Sequence, residues 1–62
     1  MSDSQQLVEK FEVILTLVES LRADVAKHAA GNKTAGLRVR RGLRDVKKLS
    51  ADLVRESVEL SK

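Results

Sequence analysis

The chain has 62 residues, no cysteine, no proline and a net charge of +3. This length allows one small domain, and the missing thiols exclude disulfide bonds and cysteine–zinc sites. No apolar run approaches the roughly 20 residues of a membrane-spanning helix, and the polar N-terminus lacks the basic start of a signal peptide. We therefore expect a cytoplasmic protein with no membrane partner.

Residues 4–30 carry the apolar pattern of a helix. Their large apolar side chains recur at alternating steps of four and three residues, which is the spacing of a heptad seam. The seam consists of Leu7, Phe11, Ile14, Val18, Leu21, Val25 and His28. We predict one amphipathic helix over this range, with its seam facing a partner helix.

A second helix is predicted over residues 33–61. Its seam has the same alternating steps and consists of Ala35, Val39, Gly42, Val46, Leu49, Leu53, Glu56 and Leu60. Between the helices, Gly31 can adopt the left-handed conformation that ends a helix, and Asn32 or Thr34 can cap the next one. A joint this short makes the two helices antiparallel neighbours.

Both seams are centred on the joint, and this fixes the predicted register of the two helices. Leu21 is expected to face Gly42, and His28 is expected to meet Ala35. The sequence therefore predicts an all-α fold in which residues 1–62 form a single antiparallel two-helix hairpin.

Further apolar residues lie off the two seams and widen the apolar stripe beyond what one partner helix covers. They are Val8, Val13, Leu15, Leu17, Leu43, Val54 and Val58. Because a lone hairpin of this length buries little surface, we predict that these side chains pack against a second copy. The predicted assembly is a homodimer that forms a four-helix bundle, and a tetramer is the alternative.

Charge is distributed unevenly along the chain. Residues 1–31 hold five acids and three bases, whereas residues 32–62 hold nine bases and four acids. The cations predicted to contact DNA are Lys33, Arg38, Arg40, Arg41, Arg44, Lys47, Lys48 and Arg55. At about 100° per residue, most of them lie away from the seam of the second helix. Such a surface neutralises phosphates and gives affinity for duplex DNA without sequence preference.

The sequence shows no constellation of residues typical of catalysis. His28 is the single histidine, and without cysteine or a paired acid it makes no plausible zinc site. The carboxylates show no converging pair for acid–base chemistry, and a two-helix hairpin offers no deep pocket for a small-molecule substrate. We expect a protein that is not an enzyme and that uses no metal and no cofactor.

The segment Gly31–Gly42, with the sequence GNKTAGLRVRRG, resembles the bacterial linker-histone-like family, the histone H1-like, chlamydial-type nucleoid proteins. Members share a Gly-Asn-Lys joint, small residues after it and an Arg-Val-Arg sequence. The resemblance implies DNA binding and compaction at the nucleoid. It carries DNA contact over to Lys33, Arg38, Arg40 and Arg41. Longer members add a basic tail rich in Lys, Ala and Pro; this chain ends at Lys62, so we expect the folded surface to do the binding.

Two functions from different classes fit these observations. The first is a histone-like, nucleoid-associated protein that bridges, bends or compacts DNA as a dimer. The alternative is a helical-hairpin module for protein interaction or oligomerisation without a nucleic-acid role. RNA binding through the same cations is a third possibility, because contacts to the phosphate backbone contribute to the binding of both polymers.

Overall fold

Three helical segments make up the fold of residues 3–62, which the computed structural model describes, with side chains from residue 4 onward. Helix α1 spans Asp3–Ser20, α2 spans Arg22–Ala29 and α3 spans Lys33–Leu60. The first two form one bent helix, and α3 returns antiparallel along both of them. The predicted all-α hairpin is confirmed. Within the described residues, none of the helices combines the length and apolarity needed to cross a membrane.

The first predicted helix, over residues 4–30, is present as α1 and α2, with a bend at Leu21 between them. The Leu21 N–H donates to the Val18 carbonyl, only three residues back, at 3.1 Å. The Ser20 hydroxyl donates at 2.6 Å to the Leu17 carbonyl, which is the acceptor that Leu21 uses in a regular α-helix. This competition for one acceptor tightens the turn and separates α1 from α2.

The joint between α2 and α3 is closed by hydrogen bonds to both helices. Gly31 has a φ of +106°, and the N–H groups of Gly31 and Asn32 donate to carbonyls in the last turn of α2 at 2.9 and 3.0 Å. This pattern is a Schellman motif, as the sequence position of the glycine suggests. The Asn32 side chain then accepts from the Ala35 N–H at 2.9 Å. Asn32, rather than Thr34, therefore caps α3.

The best-packed part of the hairpin lies beside this joint. Leu21, Ala35 and Val39 are the buried apolar side chains of the described residues. Leu21 packs on Gly42 as predicted, since a Cβ added to Gly42 would lie 2.4 Å from the Leu21 Cδ2 atom. The missing side chain of Gly42 therefore allows the two helices to approach closely at this level.

The His28 side chain packs on α3 beside its predicted partner Ala35. The imidazole ring lies over Gly36, the next residue, since a Cβ added to Gly36 would lie 2.6 Å from the His28 Cε1 and Nδ1 atoms. Ala35 is fully buried. The missing side chain of Gly36 therefore leaves room for the imidazole ring at this level.

Packing is thinner toward the open end of the hairpin. Phe11 is 53% exposed although it belongs to the predicted seam, and Glu56 pairs across the hairpin with Lys10 at 2.5 Å. The accessible surface is 4905 Å², whereas a folded monomer of 6.9 kDa is expected to expose about 4,000 Å². One hairpin alone therefore leaves apolar surface uncovered.

Candidate nucleic-acid interface

The cations of α3 project into solvent because the helical period separates them from the buried side chains. Ala35 and Val39 are buried on the inner side of α3, whereas Arg41, Arg44 and Lys48 are exposed. At about 100° per residue, these three cations fall within a sector of about 60° on the outer side. The contact of α3 with α1 and α2 therefore fixes the direction in which the positive charge points.

All eight cations predicted to contact DNA are exposed on α3. Two of them pair with carboxylates inside the hairpin, and the other six have no carboxylate within 4.0 Å among residues 4–62. We call these six the basic face: Lys33, Arg40, Arg41, Arg44, Lys47 and Lys48. The stretch from Lys33 to Lys48 is about 22 Å long, or roughly two-thirds of a turn of B-form DNA.

Arg38 is held by Asp24 across the hairpin. Its Nε donates to Asp24 Oδ2 at 3.0 Å, and a terminal guanidinium nitrogen donates to Oδ1 at 2.9 Å. This two-bond fork is the preferred geometry of an arginine–carboxylate pair. Sequence reasoning assigned Arg38 to DNA and missed this pair. The predicted register contained the signal, since centring both seams on the joint also places Val25 opposite Val39, and the residue before each of these two valines carries a charge.

The Asp24–Arg38 pair also shifts the protonation equilibria of both groups. The hydrogen bonds from Arg38 hold the pKa of the Asp24 carboxyl below its usual value of 3.8, with a smaller opposing effect of desolvation. The same hydrogen bonds raise the pKa of Arg38. The pair therefore stabilises the hairpin while Asp24 is ionised, and it fixes α2 against the first turns of α3.

Substituting Asp24 by asparagine should lower the free energy of unfolding more at pH 6 than at pH 3. Because the folded chain has the lower Asp24 pKa, the unfolded chain protonates first as the pH falls. The stabilisation is therefore present above about pH 4 and is lost below it. Urea unfolding of the wild type and Asp24→Asn at both pH values measures the difference. A difference that does not change with pH contradicts this assignment.

Arg55 is the second predicted cation with a partner inside the chain. It forms an ion pair with Asp52, one turn earlier on α3. Both side chains are substantially exposed, and exposed pairs of this kind contribute little to stability. Arg55 is also separated from the basic face by two turns of α3, so we place it at the edge of the candidate interface.

The outer side of α1 carries the opposite charge. Glu9, Glu12 and Glu19 are exposed there, and Glu19 pairs with Arg22 at 3.2 Å. The Cα atoms of the hairpin span only 16 × 12 Å in cross-section, so an acidic side and a basic side lie back to back. A polyanion is therefore attracted to α3 and repelled from α1.

Other kinds of site receive little support from the described residues. They contain no group of three or more His, Cys, Asp or Glu side chains able to hold a metal ion. Helix α3 contains no Asn or Gln, the side chains that most often read adenine in the major groove. Leu37 lies among the cations of the basic face and is 61% exposed. The arrangement thus supplies positive charge along a helix that lacks the amide side chains which read adenine.

Comparison with known proteins supports the interpretation of this helix. No curated protein and no solved structure matches the chain. The family model described as histone H1-like protein Hc1 matches residues 8–62, which include both arms of the hairpin, the joint and the whole basic face. The resemblance seen around the Gly-Asn-Lys joint therefore extends over nearly the entire sequence, and the chain belongs to the histone H1-like protein Hc1 family.

Proposed function

We propose that this protein is a histone-like DNA-binding protein of the bacterial nucleoid. The observation that carries the proposal is the basic face of α3, where six exposed cations have no carboxylate partner in the described residues. Cations in such an array displace condensed counterions from the phosphates of a duplex. Membership of a histone H1-like family supports the same conclusion.

The proposed contacts are to phosphates and do not select a sequence. Arginine and lysine dominate the basic face, and the absence of Asn and Gln from α3 leaves few groups for base recognition. Phe11 is the only aromatic residue of the chain, and it lies on α1, away from the cations. Stacking on unpaired bases needs exposed aromatic rings beside a basic groove. A duplex is therefore preferred to a single strand.

We also propose that the protein acts as a homodimer, in which two hairpins form a four-helix bundle. Six large apolar side chains lie on one side of the hairpin and are between 43% and 63% exposed. We call this side the apolar face: Val8, Phe11, Leu15 and Val18 of α1, with Leu43 and Val54 of α3. A shared depression lined by Phe11 and Val54 shows that both helices contribute to it. Packing this face on a second copy removes the excess exposed surface.

The residues predicted for the dimer interface divide between sides of the hairpin. Val8, Leu15, Leu43 and Val54 belong to the apolar face. Val13 and Leu17 line depressions on the other side of the hairpin, two of which are also lined by Asp52. Val58 lies toward the outer side of α3 by helical period. The proposed interface therefore keeps the first four residues and adds Phe11 and Val18 from the predicted seam.

Titration of a random-sequence duplex at 50 and 200 mM salt, followed by fluorescence anisotropy, tests the DNA-binding proposal. Six phosphate contacts give a fall in affinity of about 10³-fold between these two concentrations. No measurable binding at 50 mM salt contradicts the proposal and favours the protein-interaction module. Competition by an A-form RNA duplex identifies the polymer, since stronger competition by RNA than by B-form DNA contradicts the assignment to DNA.

A further inference from the structure

The charges that border the apolar face decide how two copies can pack. On α1, Glu12 and Glu19 lie within about 60° of Leu15 and Val8 around the helix. On α3, Arg40 and Lys47 lie within the same angle of Leu43 and Val54. All four charged side chains are exposed. The apolar face therefore has an acidic rim along α1 and a basic rim along α3.

Two symmetric dimers bring the apolar faces of two copies together. In the alternating dimer, the twofold axis is parallel to the helices, and α3 of each copy packs on α1 of the other. In the like-on-like dimer, the axis runs from α1 to α3, so α3 packs on α3 and α1 packs on α1. The first brings an acidic rim against a basic rim at both edges. The second brings basic against basic and acidic against acidic.

The register of the hairpin also matches the rims of the alternating dimer. Leu21 lies level with Gly42, and Lys10 lies level with Glu56. Lys47 lies between these two levels. Its position along the helix axis differs from that of Glu19 by at most about three residues, or about 4 Å. A twofold axis parallel to the helices preserves these levels. A lysine and a glutamate side chain therefore reach each other across the proposed interface.

We infer that two copies pack through their apolar faces in the alternating arrangement, so that the dimer presents its basic faces on opposite edges and bridges two separate duplexes. This inference rests on the proposed homodimer and specifies how its two copies are arranged. The like-on-like dimer places both basic faces on the same edge and binds one duplex. In the alternating dimer, Arg40 and Lys47 border the partner's acidic rim, whereas Arg41, Arg44 and Lys48 remain free for phosphate.

Charge reversal distinguishes the two dimers by the sign of its effect. In 50 mM salt and without DNA, Lys47→Glu and Glu19→Lys should each weaken dimerisation by about tenfold, and the double variant should recover to within about threefold of the wild type. In the like-on-like dimer, each single variant removes a repulsion and tightens the dimer. Sedimentation equilibrium measures the dissociation constants. Lys62→Glu makes the same change of net charge as Lys47→Glu, but at the end of the chain, and should leave the dissociation constant within about twofold.

Crosslinking provides an independent measurement, since the chain has no cysteine. The levels of Val54 and Val8 on their two helices differ by about four residues, or about 6 Å along the helix axis, so a mixture of Val54→Cys and Val8→Cys should be joined by a short bis-maleimide. A mixture of Val54→Cys and Leu43→Cys is joined instead in the like-on-like dimer. Tagging one variant of each mixture distinguishes products that join the two different variants from products that join two copies of the same variant.

Each outcome bears on one part of the inference. Tighter dimers after single charge reversal, or no recovery in the double variant, overturn the alternating arrangement. A wild type that remains monomeric overturns the dimer without affecting the DNA-binding proposal, which is measured separately by anisotropy. A dimer that responds to charge reversal as expected but does not retain a labelled duplex on an immobilised duplex overturns bridging. That result leaves the proposed dimer geometry unaffected.

Discussion

Replacing Arg41, Arg44 and Lys48 together by alanine lowers the affinity for a random duplex on the order of 100-fold at 50 mM salt. These three cations are exposed on the outer side of α3 and have no carboxylate partner among the described residues. Losing three phosphate contacts also reduces the slope of log affinity against log salt by about 2.7. Anisotropy titrations at several salt concentrations measure both quantities, on at least two unrelated sequences.

A matched triple variant separates the position of the charges from their number. Arg22→Ala, Lys27→Ala and Lys62→Ala remove the same net charge from exposed positions outside the basic face. This control should change the affinity by less than about threefold, because contact with phosphate requires proximity and distant charges are screened by salt. Equal losses in both triple variants show that only net charge matters, and they contradict an interface on α3. Circular dichroism establishes that both variants remain helical.

Substituting Gly42 by alanine destabilises the hairpin by about 1–2 kcal/mol, although alanine favours a helix by about 1 kcal/mol over glycine. The added Cβ lies 2.4 Å from Cδ2 and 3.0 Å from Cδ1 of Leu21, which is one of the few buried side chains of the described residues. Leu21 must therefore move, and the best-packed level of the hairpin opens. Thermal unfolding of the wild type and Gly42→Ala should show a midpoint about 5–10 °C lower in the variant.

The effect of Gly42→Ala should reverse its sign when Leu21 is shortened. Valine at position 21 lacks both Cδ atoms that crowd the new methyl group, and the remaining contact, at 3.2 Å in the case of the Leu21 Cγ atom, needs only a small shift. The gain in helix propensity therefore outweighs the crowding. In the Leu21→Val background, Gly42→Ala should therefore raise the midpoint. If alanine destabilises both backgrounds equally, close approach to Leu21 is not the reason for glycine at this position. The double-variant cycle is needed because neighbouring substitutions are rarely additive.

The architecture of the hairpin could be predicted because its determinants are local and periodic. Heptad spacing predicted which side of each helix faces inward. Gly31 and Asn32 predicted the joint, and the position of both seams relative to the joint predicted the register. The structure confirms the pairing of Leu21 with Gly42. The interruption at Leu21 could not be predicted, since it depends on the Ser20 hydroxyl taking the Leu17 carbonyl from the main chain. A serine within a helix either points to solvent or bonds to a carbonyl of the preceding turn, and its position in the sequence does not decide between the two.

The position of the candidate interface on α3 could be predicted from the sequence. Which cations of that helix are free of carboxylate partners was harder to predict. Helical period alone places Arg41, Arg44 and Lys48 opposite the buried side chains of α3. Whether a cation is free depends on the carboxylates that the fold brings near it, as the fork between Arg38 and Asp24 shows. Spacing within one helix cannot reveal a partner on another. The same limitation applies to Val13, which has apolar spacing but lies on a different side of the hairpin from Val54.

The concentration of buried side chains beside the joint has a consequence for the order of folding. The Schellman turn, the Asn32 cap and the contact between Leu21 and Gly42 all lie within residues 21–42, so they form by closing a short loop at low entropic cost. The parts of α1 and α3 that lie far from the joint, the arms of the hairpin, should pack afterwards. They should also separate first when the native state opens locally. Amide hydrogens near Phe11 and Val54 should therefore exchange faster than those near Val39. In the proposed dimer, the second copy covers the apolar face and should slow hydrogen exchange most at these arms.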